Sequence, residues 1–199
     1  MSLRKKRIAL TRAAFVPVIL LAVFVQPSWN PESTTAYFVE LSGYVFLLAG
    51  VAVRLWSIHY VGGRKSHELI TDGPYSLCRN PLYVGTFLLT VGACLCFENV
   101  LMLAAAFLVV VPMHLAAARW EERHLLELFP EAFPEYARSV PRFWPRLRNY
   151  HSRDSLSVPV RAIRRIAIDT AGVLLIPALE DLLEVLHRTH IVPVLLQFP

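Results

Sequence analysis

The sequence is poor in cysteine and in charged residues. Its three cysteines, Cys78, Cys94 and Cys96, are an odd number without CxxC spacing, so neither a disulfide framework nor a zinc site is indicated. Charged residues make up only 18% of the 199-residue chain, whereas apolar residues make up 55%. This balance is too apolar for a soluble domain of this length and is typical of a membrane protein.

The chain also lacks internal repeats, low-complexity runs and any basic motif interleaved with aromatic residues. A repeat architecture and a nucleic-acid-binding surface are therefore not indicated. The formal net charge of +5 has another explanation, because basic residues beside membrane helices face anionic lipid.

Long apolar stretches account for the composition. They cover residues 8–26, 36–56, 82–97 and 100–118. The first, second and fourth approach the roughly 20 residues that cross about 30 Å of hydrocarbon as a helix, and the third is shorter. The first lacks a convincing cleavage site, so we interpret it as a retained helix and not as a signal peptide. The last two are joined by Glu98 and Asn99, which predicts a tight helical hairpin.

Lysine and arginine are absent from two of the connecting loops, residues 27–35 and 97–99. The positive-inside rule therefore predicts four crossings with both termini in the cytosol. We expect an all-α membrane bundle of about four transmembrane helices, located in a cell inner membrane or in the endoplasmic reticulum.

The last fifty residues differ in character. Residues 151–159 are polar, and residues 160–190 alternate charged and aliphatic side chains. Asp169 and Glu180 leave an uncharged stretch that is too short to span, so an interfacial amphipathic helix is expected here. We therefore divide the chain into a membrane domain, residues 1–150, and a C-terminal tail, residues 151–199.

Chemistry-bearing residues concentrate in the inner loop before the third apolar stretch. This loop contains the run H-E-L-I-T-D-G-P-Y-S-L-C-R-N-P-L-Y-V-G over residues 67–85. Asn80 and Pro81 suit the N-cap and first position of a helix. A helix N-terminus beside Arg79 would hold a carboxylate. The alternative is an ordinary positive-inside loop with interfacial aromatic residues.

A second polar group follows the fourth apolar stretch and includes Glu121, Glu122 and His124. Glu121 lies on nearly the same helix face as His114, two turns earlier. The alternative is that these charges are simply solvated beyond the membrane. Because a helical hairpin leaves and returns to one interface, we predict that Arg79 and Glu121 belong to one site.

The two groups together resemble a known family. The pattern H-x-L-x-T-x-G-P-Y-x-x-x-R-[HN]-P-x-Y-x-G, followed by E-E-x-x-L-x-x-x-F and V-P-R-F, is similar to the isoprenylcysteine carboxyl methyltransferases and their phospholipid methyltransferase relatives. It covers residues 64–147. Three positions depart from the usual pattern, with Asn80 in place of His, Pro130 in place of Gly and Phe133 in place of Tyr.

The resemblance implies an S-adenosylmethionine-dependent methyltransferase, without metal or nucleic acid, whose lipid or prenylated substrate enters from the bilayer. It implies cofactor-binding roles for His67, Leu69, Gly73, Tyr75, Arg79, Asn80, Tyr83 and Glu121. It implies catalytic roles for Glu121, Glu122 and Arg142.

The methyl acceptor stays open at this stage. An isoprenylcysteine-type carboxylate is favoured, and it needs no general base because it is already ionised at pH 7. The alternative is an ethanolamine nitrogen of a phospholipid, which must lose a proton, for which Glu122 or His124 could serve. A second alternative is a non-catalytic membrane protein that keeps the family scaffold. A small transporter is disfavoured, because no charged residue lies deep in the apolar stretches.

Overall fold

The computed structural model describes residues 15–27, 33–62, 68–154 and 160–198. These residues are mostly helical, as expected from the sequence. The helices are α1 (Phe15–Phe24), α2 (Thr34–Val61), α3 (Pro74–Leu77), α4 (Pro81–Cys96), α5 (Val100–Leu128), α6 (Ala132–Ser139) and α7 (Val160–Arg188). A 3₁₀ turn covers Leu147–Asn149, and two short strands, β1 (Val25–Pro27) and β2 (Leu196–Phe198), form a parallel pair.

Two of the described helices, α2 and α5, are long and apolar enough to cross a membrane. The helices α1 and α4 are apolar but shorter. The structure thus supports a helical membrane protein with two candidate spans, and the four-crossing topology stays a prediction.

The chain forms two compact units, each assembled from separate parts of the sequence. Unit 1 comprises Met1–Leu47, Thr90–Pro112 and Leu174–Pro199, and unit 2 comprises Leu48–Leu89 and Met113–Val173. In each unit α2 and α4 meet through a glycine pair. A Cβ atom on Gly92 would lie 2.9 Å from the Gly43 carbonyl oxygen in unit 1, and one on Gly85 would lie 3.1 Å from the Gly50 carbonyl oxygen in unit 2. Such close approach is how helices pack in membranes.

The core of unit 1 contains the buried residues Val18, Cys94, Met102 and Ala106. Asn99 fixes the start of α5, because its Oδ1 accepts from the Met102 amide at 2.8 Å. The tail packs in this unit: His187 Nε2 lies 2.8 Å from the Val23 carbonyl oxygen, and β2 pairs with β1. This pairing is not evident in the sequence.

In unit 2 the segment after α6 pairs with the loop before α4. The Arg79 amide donates to the Pro141 carbonyl oxygen at 2.9 Å, and the Asn80 amide donates to the Arg142 carbonyl oxygen at 3.1 Å. The Gly73 amide donates in turn to the His151 carbonyl oxygen at 2.7 Å. These backbone bonds place two segments that are distant in sequence side by side.

Candidate active site

A cavity of about 140 Å³ lies in unit 2. Its walls come from the loop before α3, the N-terminal turn of α4, the C-terminal part of α5, and α6. It is lined by Val61, Glu68, Leu69, Ile70, Tyr75, Arg79, Asn80, Leu82, Tyr83, Glu121, Glu122, Leu125, Phe133 and Tyr136. An apolar wall with a few convergent charged groups is typical of a small-molecule site.

The central electrostatic feature is a carboxylate held between two guanidinium groups. Arg142 binds Glu122 through two hydrogen bonds, from Nε to Oε1 at 3.0 Å and from Nη2 to Oε2 at 2.6 Å. Arg79 Nη1 lies 3.4 Å from Glu122 Oε1 on the other side. The Glu122 side chain is only 12% exposed. The hydrogen bond to Glu122 raises the pKa of Arg142 above its usual value, so the Arg142 guanidinium keeps its charge.

Asn80 completes this cluster. Its amide nitrogen lies 3.2 Å from the Arg142 carbonyl oxygen and 3.5 Å from Glu122 Oε1. The helix α4 begins at Pro81, as the sequence predicts, and the Asn80 carbonyl oxygen accepts from the amides of Tyr83 and Val84. Asn80 thus joins the start of α4 to the ion pair.

Glu121 occupies a different position from its neighbour Glu122. It accepts a hydrogen bond from the Tyr83 hydroxyl at 3.2 Å. The Tyr83 ring packs edge-to-face on His114, with ring centroids 5.0 Å apart. His114 therefore orients Tyr83, and Tyr83 orients Glu121 in the cavity wall.

Two further tyrosines, Tyr75 and Tyr136, line the cavity. The Tyr136 hydroxyl donates to the Tyr75 carbonyl oxygen at 2.8 Å, which links α6 to α3. Burial raises the pKa of both phenols, and the nearby Glu121 carboxylate raises that of Tyr75 further. Burial also raises the pKa of the neighbouring Cys78 thiol to about 11. These three groups are therefore protonated at neutral pH and serve as packing and donor groups, not as bases or nucleophiles.

A second ion-pair group holds the loop that precedes α3. Arg153 Nη2 lies 3.2 Å from Glu68 Oε2, and Arg153 Nε lies 3.1 Å from Asp72 Oδ2. The Tyr60 hydroxyl and Ser152 Oγ are 2.6 Å apart. Residues immediately after position 150 thus support one wall of the cavity.

Comparison with known proteins identifies the fold family. The model of the phospholipid methyltransferase family matches residues 39–132. The cobalt-zinc-cadmium resistance protein CzcN of Cupriavidus metallidurans is 34% identical over 185 residues, 93% of this chain and 85% of that protein. The nickel-cobalt-cadmium resistance protein NccN of Alcaligenes xylosoxydans xylosoxydans is 32% identical over 197 residues, 99% of this chain and 92% of that protein.

The protein-S-isoprenylcysteine O-methyltransferase of Schizosaccharomyces pombe is 31% identical over 112 residues, 55% of this chain and 48% of that enzyme. The chain belongs to the isoprenylcysteine carboxyl and phospholipid methyltransferase family. No solved structure is a significant match.

The cavity collects most of the residues that the methyltransferase pattern singles out. Those that line it are Leu69, Tyr75, Arg79, Asn80, Tyr83, Glu121 and Glu122. Arg79 and Glu121 share this cavity, as the hairpin argument predicts. Arg142 contacts it through Glu122. His67 lies outside the described residues.

Two expected participants lie elsewhere. Gly73 is not among the residues that line the cavity. It adopts a φ of 60° at the start of α3, and an added Cβ would overlap the Tyr60 ring. Its role is to let the loop turn beneath the site. His124 stacks on Trp120 and lies 3.7 Å from the exposed Glu127, so it does not face the cavity as a base would.

Several lining residues were not expected. Phe133 and Tyr136 lie three positions apart between the E-E-x-x-L-x-x-x-F and V-P-R-F motifs, and that spacing was the available signal for them. Glu68 lies inside the loop motif, but its ion pair with Arg153 joins positions far apart in sequence. Leu125 is the leucine of the E-E-x-x-L motif. Val61, Ile70 and Leu82 are ordinary apolar residues in the sequence, and only folding places them at the cavity.

Proposed function

We propose that this protein is an S-adenosylmethionine-dependent methyltransferase that acts at the cytosolic membrane interface on a lipid-linked or hydrophobic acceptor, with an isoprenylcysteine-type carboxylate favoured. The observation that carries the proposal is the Arg79–Glu122–Arg142 cluster, which lies beside Glu121 and Tyr83 at one apolar cavity. Membership of a methyltransferase family supports it independently.

The lining residues fit the methionine end of such a cofactor. The Nε atom of Arg79 is buried and has no hydrogen-bond partner among the described residues, so it can still donate to a carboxylate. Glu121 is placed to accept from an amino group, and the faces of Tyr75 and Tyr83 suit a sulfonium. When bound, the cofactor supplies an electrophilic methyl group. The cavity is smaller than the roughly 300–1,000 Å³ of a typical ligand pocket, so it matches only part of the cofactor.

The residues of the cluster act by holding and orienting. Both Glu122 oxygens are engaged by Arg142, and Oε1 also faces Arg79. Glu122 therefore fixes the two guanidinium groups in place. Arg142, whose side chain is 37% exposed, retains donors that can orient an acceptor carboxylate. In-line methyl transfer depends chiefly on such orientation and on exclusion of water.

The same geometry bears on the choice of acceptor. An ethanolamine nitrogen would need a proton acceptor at the cavity, yet Glu122 is occupied by arginines and His124 lies elsewhere. Of the other lining carboxylates, Glu68 pairs with Arg153 and Glu121 accepts from the Tyr83 hydroxyl. A carboxylate acceptor needs only a cation, which Arg142 provides, and this favours the prenylcysteine type.

We propose further that the N-terminus is cytosolic and that residues 27–35 and 97–99 lie on the opposite side of the membrane. The absence of Lys and Arg from residues 27–35 and 97–99 supports this topology. The cytosolic C-terminus expected from the sequence does not fit this placement, because β2 (Leu196–Phe198) pairs with β1 (Val25–Pro27) beside the first of these loops. Among the described residues of the tail, residues 151–153 hold the loop before α3 and so support the site.

The deciding experiment supplies the purified protein with radiolabelled S-adenosylmethionine, total membrane lipid and a prenylcysteine analogue. A base-labile label on the analogue is the expected result, since a methyl ester hydrolyses in base. A base-stable label on lipid would instead show ethanolamine methylation. Absence of both transfer and labelled-cofactor binding would mean a non-catalytic protein with a retained scaffold.

A second candidate function is a part in metal resistance. Two relatives named as metal resistance proteins match nearly the whole chain. Among the described residues no group of three or more His, Cys, Asp or Glu side chains is arranged to hold a metal ion, so we propose methylation of a membrane component as the contribution to resistance. Growth of a deletion strain on cobalt, zinc or cadmium should be rescued by the parent gene but not by Glu122→Gln. Equal rescue by the parent gene and by the Glu122→Gln gene would show that resistance does not depend on methyl transfer.

A further inference from the structure

The segment that carries Arg142 also presents an exposed aromatic and basic surface. Trp144 is 86% exposed and Leu147 is 78% exposed, although both are large apolar side chains. Arg146 and Arg148 between and beside them are exposed as well, and neither forms an ion pair with a described residue. We call Trp144, Arg146, Leu147 and Arg148 the loop patch. Residues 141–150 contain no acidic residue.

The loop patch is held in a fixed conformation. The Arg146 amide donates to the Leu77 carbonyl oxygen at 3.0 Å, and the Asn149 side chain donates to the Ser139 carbonyl oxygen at 3.1 Å. The 3₁₀ turn Leu147–Asn149 follows. Because these hydrogen bonds hold the loop, Trp144 and Leu147 stay exposed. Large apolar side chains that are exposed together mark an interaction surface.

Aromatic contacts give the level of this loop relative to the bilayer. The Tyr150 ring packs on Trp56, with ring centroids 6.0 Å apart. Trp56 lies near the C-terminal end of α2, one of the two candidate spans. Tryptophan and tyrosine at the end of a spanning helix mark the membrane interface. The loop patch therefore lies beside the headgroup region and not far out in solution.

From these observations we propose that the loop patch docks onto anionic lipid headgroups, with Trp144 and Leu147 entering the interface and Arg146 and Arg148 binding the phosphates. Arginine beside an inserted aromatic residue is the pairing that an anionic leaflet recognises. Because the same backbone carries Arg142, docking would also hold the Glu122 ion pair at a set distance from the bilayer surface. The proposal rests on the membrane embedding proposed above, but not on methyl transfer.

The test places the full-length protein in nanodiscs of phosphatidylcholine with or without phosphatidylglycerol, using brominated forms of each lipid as quenchers. The emission of Trp144 is obtained by subtracting the emission spectrum of Trp144→Phe from that of the parent protein. We expect stronger quenching by brominated phosphatidylglycerol than by brominated phosphatidylcholine. The double variant Arg146→Gln, Arg148→Gln should remove this preference. We expect each arginine to contribute roughly fivefold to the affinity of the loop patch for anionic lipid.

The matched control is Arg123→Gln with Arg138→Gln, which removes two exposed arginines of the same unit and should keep the preference. Equal loss in this control would reveal a general charge effect and overturn the proposal. Trp144 emission that neither brominated lipid quenches would also overturn it, and a dependence on protein-to-lipid ratio would then point to a second copy. Because the readout is fluorescence, failure of methyl transfer would leave this test intact.

Discussion

The two units differ in the charges that surround their carboxylates. In unit 2, Glu122 is matched by Arg79 and Arg142 within hydrogen-bond or ion-pair distance. In unit 1, a cavity of about 430 Å³ is lined by Glu40, Glu98, Glu180, Asp181 and Glu184, with His187 and Arg188 as its basic residues. Arg188 binds Glu184 at 2.6 Å.

Burial, followed by the neighbouring Glu184 and Asp181 and then Glu40 and Glu98, raises the pKa of Glu180 to about 7. The difference shows what each group of charges can do. Paired carboxylates in unit 2 form a fixed electrostatic frame for a charged ligand, whereas crowded carboxylates in unit 1 make its stability depend on pH.

The largest expected effect comes from breaking the frame in unit 2. Glu122→Gln removes the charge that holds Arg79 and Arg142, so methyl transfer should fall by about a hundredfold, about 2.7 kcal/mol. Initial rates with labelled S-adenosylmethionine measure it. Glu127→Gln, on the same helix but 77% exposed, is the matched control and should retain parental activity. Parental rates in Glu122→Gln would show that the frame is not used.

A second expected effect is on the loop beneath the cavity. Gly73→Ala adds a Cβ that meets the Tyr60 ring at a φ of 60°, and it should cost about 1–3 kcal/mol of unfolding free energy. Gly172→Ala is the matched control, because nothing lies within 4 Å of its Cβ and alanine favours a helix by about 1 kcal/mol. Thermal unfolding in detergent compares the two. If Gly73→Ala and Gly172→Ala unfolded at the same temperature, the Gly73 backbone would not be packed against Tyr60 as described.

A third, smaller effect concerns the cofactor. Arg79→Lys keeps the charge but loses the guanidinium fork, and Glu121→Gln keeps the shape but loses the charge. Each should weaken S-adenosylmethionine binding about tenfold, about 1.4 kcal/mol. In the double mutant the two losses should be non-additive by roughly 0.5 kcal/mol or more. If calorimetry shows that both single mutants bind S-adenosylmethionine with the parental affinity, the cofactor does not bind in this cavity.

The smallest effect tests unit 1. Because the folded-state pKa of Glu180 is raised from 4.5 to about 7, its protonated form stabilises the fold below about pH 4.5, and this stability is lost as pH rises through 7. Glu180→Gln mimics the protonated form, so at pH 8 its unfolding midpoint should lie about 2–4 °C above the parent. The gain should vanish in acid. A gain that is independent of pH would contradict the assignment.

Much of the site could be predicted because its parts are local. The loop motif, the start of α4 at Pro81 and the carboxylates of α5 are all visible as short patterns. Arg79 and Glu121, which we expect in one site because a helical hairpin joins them, both line the cavity of unit 2.

Long-range geometry could not be predicted. The bidentate bond between Arg142 and Glu122 depends on how the segment after α6 returns along the loop. The strands β1 and β2 have three residues each, too few to show a period. Their parallel pairing joins opposite ends of the chain, and no local pattern records it.

One measurement tests the central claim most directly, namely that unit 2 holds the cofactor. Ultraviolet crosslinking of radiolabelled S-adenosylmethionine to the detergent-solubilised protein, followed by peptide mapping, locates the contact. We predict label in peptides that cover residues 68–83 or 121–136, which line the cavity of unit 2. Label confined to peptides of unit 1, such as residues 94–112 or 174–198, would contradict the account.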